Sequence, residues 1–220
     1  KADNFGKESD DIYEFYNLGL GEPMAISAAN AKGIGDVLDK VYEMLPSIDA
    51  LEDDNEIIKV AVIGKPNVGK SSLTNAILGE DILPTASRPC TSVCTELRFK
   101  NDGTGHVGRA IKKDGTPTES DYDFNNLIKM IDGPTGAIGQ CAAYHHIELE
   151  YDIAQLETEN QNLNMLCAAG VVIVDCPGYE SPYACSEDII DEYISKATHT
   201  FWMNPVTKFG GLAEVNKIKN

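Results

Sequence analysis

The strongest chemical signal in this 220-residue sequence is a glycine-rich stretch at residues 64–72. It matches the pattern G-x-x-x-x-G-K-[S/T], and it consists of Gly64, Lys65, Pro66, Asn67, Val68, Gly69, Lys70 and Ser71, followed by Ser72. Two glycines let the main chain curl so that successive N–H groups face phosphate oxygens. Lys70 is then expected to reach the β- and γ-phosphates, and the Ser71 hydroxyl to bind Mg²⁺. The pattern therefore predicts a binding site for a nucleoside triphosphate.

A second candidate element, Asp175-Cys176-Pro177-Gly178, directly follows the apolar run at residues 170–174. Ligands of open α/β sheets collect at the carboxyl ends of the strands. Asp175 at such an end is suited to hold a metal-bound water, and the Gly178 N–H is suited to face a γ-phosphate. We expect Asp175, Pro177 and Gly178 to sense the nucleotide.

A further sensor of the γ-phosphate is expected between these two motifs, in a loop that phosphate and Mg²⁺ hold in place. Thr91 is the best candidate, and Thr85 and Thr95 are its rivals. The predicted Mg²⁺ ligands are thus Ser71, Thr91 and Asp175. Lys70, Thr91 and Gly178 are the predicted catalytic residues, because phosphoryl transfer depends mainly on alignment and on neutralisation of charge.

These motifs need a scaffold, and the hydrophobic patterning supplies one in which strands alternate with helices. The predicted strands are 57–63, 145–153, 170–174 and 199–203, and the predicted helices are 71–78 and 186–196. Such alternation predicts an α/β fold with a mostly parallel sheet and helices on both faces. The stretch 101–123, rich in Gly, Thr, Asp and Lys, is predicted to be a loop.

Composition limits the possible partners. The net charge of −17 gives no general affinity for DNA, so no DNA partner is expected. The longest strongly apolar run, 165–174, is too short to span a bilayer, and the amino-terminal residues lack a secretory signal pattern. Six scattered cysteines without a Cys-x-x-Cys pair indicate reduced thiols. Together these features predict a cytoplasmic protein.

The first 56 residues are distinctly acidic, with four lysines against fourteen acidic residues. Apolar residues at helical spacing predict a helix over 36–45, which Pro46 ends. Residues 47–56 are polar and acidic, which is typical of a linker. We therefore divide the chain into a front segment (1–46), a linker (47–56) and a phosphate-binding core (57–220).

The front of the chain resembles the end of the first G domain of Der, a family of tandem GTPases of bacterial ribosome assembly. The matching stretches are 1–6 (KADNFG), 13–23 (YEFYNLGLGEP), 26–30 (ISAAN) and 64–80 (GKPNVGKSSLTNAILGE). The resemblance implies that Lys1 and Asp3 recognise guanine and that Ser27, Ala28 and Ala29 contact its O6 through the backbone. It also implies that Asn67 helps to bind a K⁺ ion that assists hydrolysis.

From residue 81 to about residue 211 the resemblance changes to dynamin-type GTPases. The matching stretches are 82–85 (ILPT), 88–93 (RPCTSV), 175–179 (DCPGY) and 192–194 (EYI). Asp175 follows Lys70 by 105 residues, a separation similar to that in dynamin-like G domains. Both resemblances imply a P-loop G domain that binds GTP and GDP and hydrolyses GTP.

The base-recognition elements precede the phosphate loop, and this order permits two arrangements. Either the chain is an excerpt carrying the tail of one G domain and most of the next, or it is a circularly permuted G domain completed by the front segment. The strand expected after 199–203 and the Asn expected before Lys1 are both missing, which favours the excerpt.

The position after Gly178, where Ras-like proteins carry a water-orienting glutamine, is Tyr179. Slow intrinsic hydrolysis is therefore expected, with stimulation by K⁺, self-association or a partner. The leading role is a molecular switch in ribosome assembly, with a ribosomal subunit as partner. The alternatives are a dynamin-like protein that assembles on a membrane and an ATP-binding protein, since a phosphate loop alone does not select guanine.

Overall fold

A computed structural model describes residues 11–19, 21–44, 57–85, 93–118, 127, 143–156, 160–179 and 187–205. Its centre is a six-stranded sheet with the order β3-β4-β2-β5-β1-β6. The strands are β1 (Ile58–Gly64), β2 (Cys94–Lys100), β3 (Val107–Lys112), β4 (Tyr144–Asp152), β5 (Val171–Asp175) and β6 (His199–Met203).

The α/β prediction is confirmed, and the sheet is mixed. Strand β1 pairs in parallel with β5 and β6, and β2 pairs in parallel with β4. The β2–β5 and β3–β4 pairs are antiparallel. Strand β1 is apolar and buried on both faces, as strands at the centre of a layered α/β sheet are. Because β1, β5 and β6 run in the same direction, their carboxyl ends meet at one edge.

Helices cover both faces of this sheet. The described helices are α1 (Asp11–Glu14), α2 (Ile34–Met44), α3 (Lys70–Leu78), α4 (Gln161–Ala168) and α5 (Glu187–Lys196). Helices α2, α3 and α4 pack on the face to which Val60 and Val62 point, whereas α5 packs on the face of Ala61 and Ile63. None of the helices among the described residues could span a lipid bilayer.

Helix α2 of the front segment packs into the same core as the sheet. It buries Ile34, Val37, Leu38 and Val41, whereas Tyr42 on the opposite face is exposed. The buried residues join a cluster with side chains of β1, β5, α3 and α4. The predicted helix 36–45 is thus present, shifted by one or two residues, and its apolar face covers the sheet.

The prediction of a loop over 101–123 was wrong, because it contains strand β3. This strand pairs with β4 from Val107 to Lys112. Its inward positions are small, since a Cβ on Gly108 would lie 2.1 Å from Cδ1 of Leu127, and Ala110 is fully buried. Gly and Ala weaken the apolar signal of the strand, but the bulk of Leu127 leaves no room for a side chain at Gly108.

Candidate nucleotide-binding site

The glycine-rich loop connects the end of β1 to the start of α3. Asn67 has a φ of 62° and Gly69 a φ of 93°, so the chain turns through left-handed conformations at both positions. Gly69 is also the residue that precedes α3. A loop with left-handed residues at alternate positions is concave, and its N–H groups converge. The positive end of the α3 dipole lies beside them. The loop is therefore shaped to bind an anion.

The first glycine of the loop is required by the neighbouring strand. A Cβ on Gly64 would lie 2.3 Å from the carbonyl oxygen of Met203 in β6, and the φ of Gly64 is 145°. A residue with a side chain would be strained by its backbone and would collide with β6. Val68 is buried and anchors the middle of the loop to the core.

Lys70 lies inside the loop with only 6% of its surface exposed. Its Nζ donates hydrogen bonds to the carbonyl oxygens of Gly64 (3.4 Å) and Lys65 (3.0 Å). Burial lowers the pKa of the Lys70 ammonium, and the negative charge of Asp175 partly opposes this. Since neutral carbonyls compensate a buried ammonium only in part, an anion bound in the loop would stabilise the charge.

Ser71 and Asp175 meet at the edge where β1 and β5 end. The Ser71 hydroxyl donates to Asp175 Oδ2 at 2.7 Å, and Asp175 is 1% exposed. The parallel register that places Val62 opposite Asp175 brings the two groups together. A hydroxyl and a carboxylate are hard oxygen donors of the kind Mg²⁺ prefers. The pair therefore fits a magnesium ion beside a bound phosphate.

The turn after β5 lies directly on the glycine-rich loop. The Cys176 N–H donates to Val62 O (3.2 Å), and the Tyr179 N–H donates to Gly64 O (3.1 Å). A Cβ on Gly178 would lie 2.5 Å from the Pro66 nitrogen and 2.6 Å from its Cα. The structure thus brings Asp175, Pro177 and Gly178 together with residues 64–72, although they lie more than 100 positions apart in the chain.

Gly178→Ala is expected to destabilise the fold by about 1–3 kcal/mol, because the added methyl meets the Pro66 backbone, which cannot rotate away. Thermal unfolding measures the effect. Gly35→Ala is the control: it adds a methyl to α2 with nothing within 4 Å, so unchanged or higher stability is expected. Equal effects of the two changes would contradict the proposed contact.

The other predicted site residues are described only in part. The backbone turn Ala28–Asn30 lies against α3, and Ser27 before it is fully buried. Ser27 exchanges backbone hydrogen bonds with Lys32, and its Oγ accepts one from Asn30 Nδ2 at 2.9 Å. Lys1, Asp3 and Thr91 lie outside the described residues.

The two rivals of Thr91 are placed differently. Thr85 is exposed, whereas Thr95 is buried in β2 opposite Asp175. A fully buried residue within a strand is a poor mobile sensor, which counts against Thr95.

The side chain of Tyr179, the residue after Gly178, packs into the core. Its ring is buried in the cluster beneath α5 and stacks on Trp202 with ring centres 5.7 Å apart. Its hydroxyl donates to Asp191 in α5 at 2.5 Å. The sequence indicated that this position lacks the water-orienting glutamine, and only the structure shows which groups hold the side chain.

A second polar cluster lies on the α5 face of the sheet. Ligand-type atoms of Glu96, His146 and Glu148 lie within 4.8 Å of one another. Lys59 and Arg98 already contact the two oxygens of Glu96 at 2.5 and 2.7 Å. Burial opposes ionisation of Glu96, but the hydrogen bond from Lys59 holds its pKa below the usual range. The cluster is therefore a neutralised ion network, and a divalent cation would have to displace both basic groups.

Comparisons with known proteins address both halves of the chain. Residues 60–219 match the model of the Dynamin family. GTPase Der from Acetivibrio thermocellus is 52% identical over 92 residues, which are 42% of this chain and 21% of that protein. GTPase Der from Caldanaerobacter subterraneus subsp. tengcongensis is 46% identical over 108 residues, 49% of this chain and 24% of that protein.

The chain thus spans less than a quarter of the length of these curated relatives. Among solved structures, an oligomerised bacterial dynamin pair aligns with a TM-score of 0.46 and 16% identity. The alignment covers 94% of this chain and 33% of that one.

Proposed function

Because this chain belongs to the dynamin family, we propose that it is a GTPase that binds GTP with Mg²⁺ and hydrolyses it to GDP and phosphate. The observation that carries the proposal is the convergence of three groups at one edge of the sheet. These groups are the buried Lys70 ammonium, the Ser71–Asp175 pair and the main chain of Gly178. Together they offer a cation, oxygen ligands for a metal ion and a backbone contact for a terminal phosphate.

In this proposal each element has a defined task. The N–H groups of residues 64–72 cradle the phosphates, and Lys70 neutralises the β- and γ-phosphates. Ser71, Asp175 and Thr91 hold Mg²⁺, which supplies further neutralisation of charge when it is bound. Gly178 and Thr91 contact the γ-phosphate and so distinguish GTP from GDP.

Recognition of guanine is assigned to the front segment. Lys1 and Asp3 contact the base, and Ser27, Ala28 and Ala29 line it through their backbone. The packing of the Ala28–Asn30 turn against α3, and of α2 into the core, supports a single permuted G domain over an excerpt of two domains. Residues 47–56 then connect two parts of one folding unit.

Hydrolysis by the isolated chain is slow in this proposal, because the Tyr179 side chain is held in the core by Asp191 and Trp202. Asn67, at a left-handed position of the loop, is the proposed ligand for an accelerating K⁺ ion. Rates of phosphate release in potassium chloride and in sodium chloride test this role. Self-association or a partner is a second proposed route to faster turnover.

The proposed biological role is a molecular switch in ribosome assembly, on the strength of the Der-like part of the chain. A membrane-associated, dynamin-like role is the second candidate, because the Dynamin family matches residues 60–219. Pelleting with ribosomal subunits and pelleting with liposomes, each with GTP, separate the two roles.

Calorimetric titration with GTP, with and without Mg²⁺, tests the binding proposal. The wild-type chain should bind GTP in a Mg²⁺-dependent manner, and excess ATP should not compete. Asp175→Asn should weaken Mg²⁺-dependent binding at least about tenfold, because it removes a charged oxygen ligand. Asp39→Asn, a change of an exposed carboxylate on α2, should bind as the wild type does. Binding that is independent of Mg²⁺, or effective competition by ATP, would contradict the assignment.

A further inference from the structure

We propose that Tyr179 is a positioning residue that presents the main chain of Gly178 to the γ-phosphate. The inference rests on the proposed GTP site and deepens it. Three contacts made by Tyr179 carry it: its N–H donates to Gly64 O, its hydroxyl donates to Asp191, and its ring stacks on Trp202. The residue thereby joins the phosphate loop, α5 and β6.

Gly178 has little free space around it. Its missing Cβ would lie 2.5–2.6 Å from three atoms of Pro66, so the turn already touches the loop. The Tyr179 N–H bond to Gly64 O, at 3.1 Å, fixes the next peptide unit on the same loop. A small rotation of Tyr179 would therefore move the Gly178 main chain relative to the phosphates.

Burial of the ring and a hydrogen bond from its hydroxyl prevent that rotation. Tyr179 is 6% exposed, and its ring packs with residues of α5. Its hydroxyl donates a hydrogen bond to Asp191, an exposed residue of α5, at 2.5 Å. Hydrogen bonds to a carboxylate are stronger than those between neutral groups. This contact therefore holds the Tyr179 ring in its stacked position on Trp202.

The proposed role of Tyr179 affects how strongly the site prefers GTP over GDP. Gly178 meets only the γ-phosphate, and a donor already fixed in place binds it without first having to be ordered. Loss of the Tyr179–Asp191 hydrogen bond should therefore weaken GTP binding and leave GDP binding nearly unchanged. A purely structural role of Tyr179 would affect both nucleotides equally.

The test is the ratio of affinities for a non-hydrolysable GTP analogue and for GDP, measured by calorimetry with Mg²⁺ on the full chain. Tyr179→Phe keeps the ring and removes the hydroxyl, and it should lower the ratio about tenfold with GDP affinity within about twofold of wild type. Asp191→Asn keeps an accepting oxygen but removes the charge that strengthens the hydrogen bond, so it should lower the ratio, though less than Tyr179→Phe does.

Tyr193→Phe is the matched control, because Tyr193 lies in the same apolar cluster but donates to Glu96 at 2.9 Å. It should leave the ratio unchanged. An unchanged ratio in Tyr179→Phe, or an equal change in Tyr193→Phe, would overturn the positioning role while leaving the GTP site intact. A wild-type chain that binds neither nucleotide would overturn the proposed function and this inference together.

Discussion

Lys70→Met should lower the affinity for GTP at least about 100-fold without weakening the fold. The Lys70 ammonium is buried, and its hydrogen-bond partners are the carbonyl oxygens of Gly64 and Lys65. Burial lowers the pKa of this ammonium, so its charge destabilises the folded protein at neutral pH. Methionine keeps most of the side-chain volume and removes the charge. We therefore expect nucleotide-free stability to be unchanged or higher.

Two measurements separate the effects of Lys70→Met. Calorimetry gives the GTP affinity, and urea unfolding without nucleotide gives the free energy of unfolding. Lys40→Met removes an exposed charge that pairs with Glu43 on α2, so it should alter neither quantity appreciably. If Lys70→Met bound GTP as tightly as the wild type, the triphosphate would have to lie away from the glycine-rich loop.

Val41→Asp in α2 should destabilise the whole phosphate-binding core by about 3–5 kcal/mol. Val41 is 7% exposed and belongs to the cluster that contains Val60, Val62 and Leu73. A carboxylate there has to be buried among apolar side chains or else displace α2 from the sheet. Either outcome removes packing from β1 and α3, the elements that flank the phosphate loop. GTP affinity should fall with the stability.

Trp202, the single tryptophan of the sequence, lies in β6 and reports on the unfolding of the core. In urea, the fluorescence transition of Val41→Asp should shift to lower concentration. Tyr42→Asp is the control, because Tyr42 is the next residue on α2 and is 58% exposed. If the Trp202 transition were the same in Val41→Asp as in the wild type, the front segment would be a separate unit, as expected for an excerpt of two domains.

Elements whose sequence signals are local, within a few neighbouring residues, were predictable from the sequence. The strand before the phosphate loop and the helix after it lie within one residue of their predicted bounds, because β-branched runs and glycine turns act locally. Strand β3 was missed, since Gly108 and Ala110 give a weak apolar signal and the contact of Gly108 with Leu127 is not visible in the sequence. Strand β2 and helix α4 were also missed, and both owe their stability to burial against neighbouring elements.

The sequence by itself determined the chemistry of the loop at residues 64–72, because its spacing of glycines, lysine and serine prescribes a local backbone path and a local set of donors. Only the tertiary structure decided that Ser71 meets Asp175, that α2 covers the sheet beside α3, and that Tyr179 turns towards Asp191. The physical reason is that local patterns specify which face of an element is apolar, whereas many partners can cover that face. The competition among those partners is settled by packing of the whole chain.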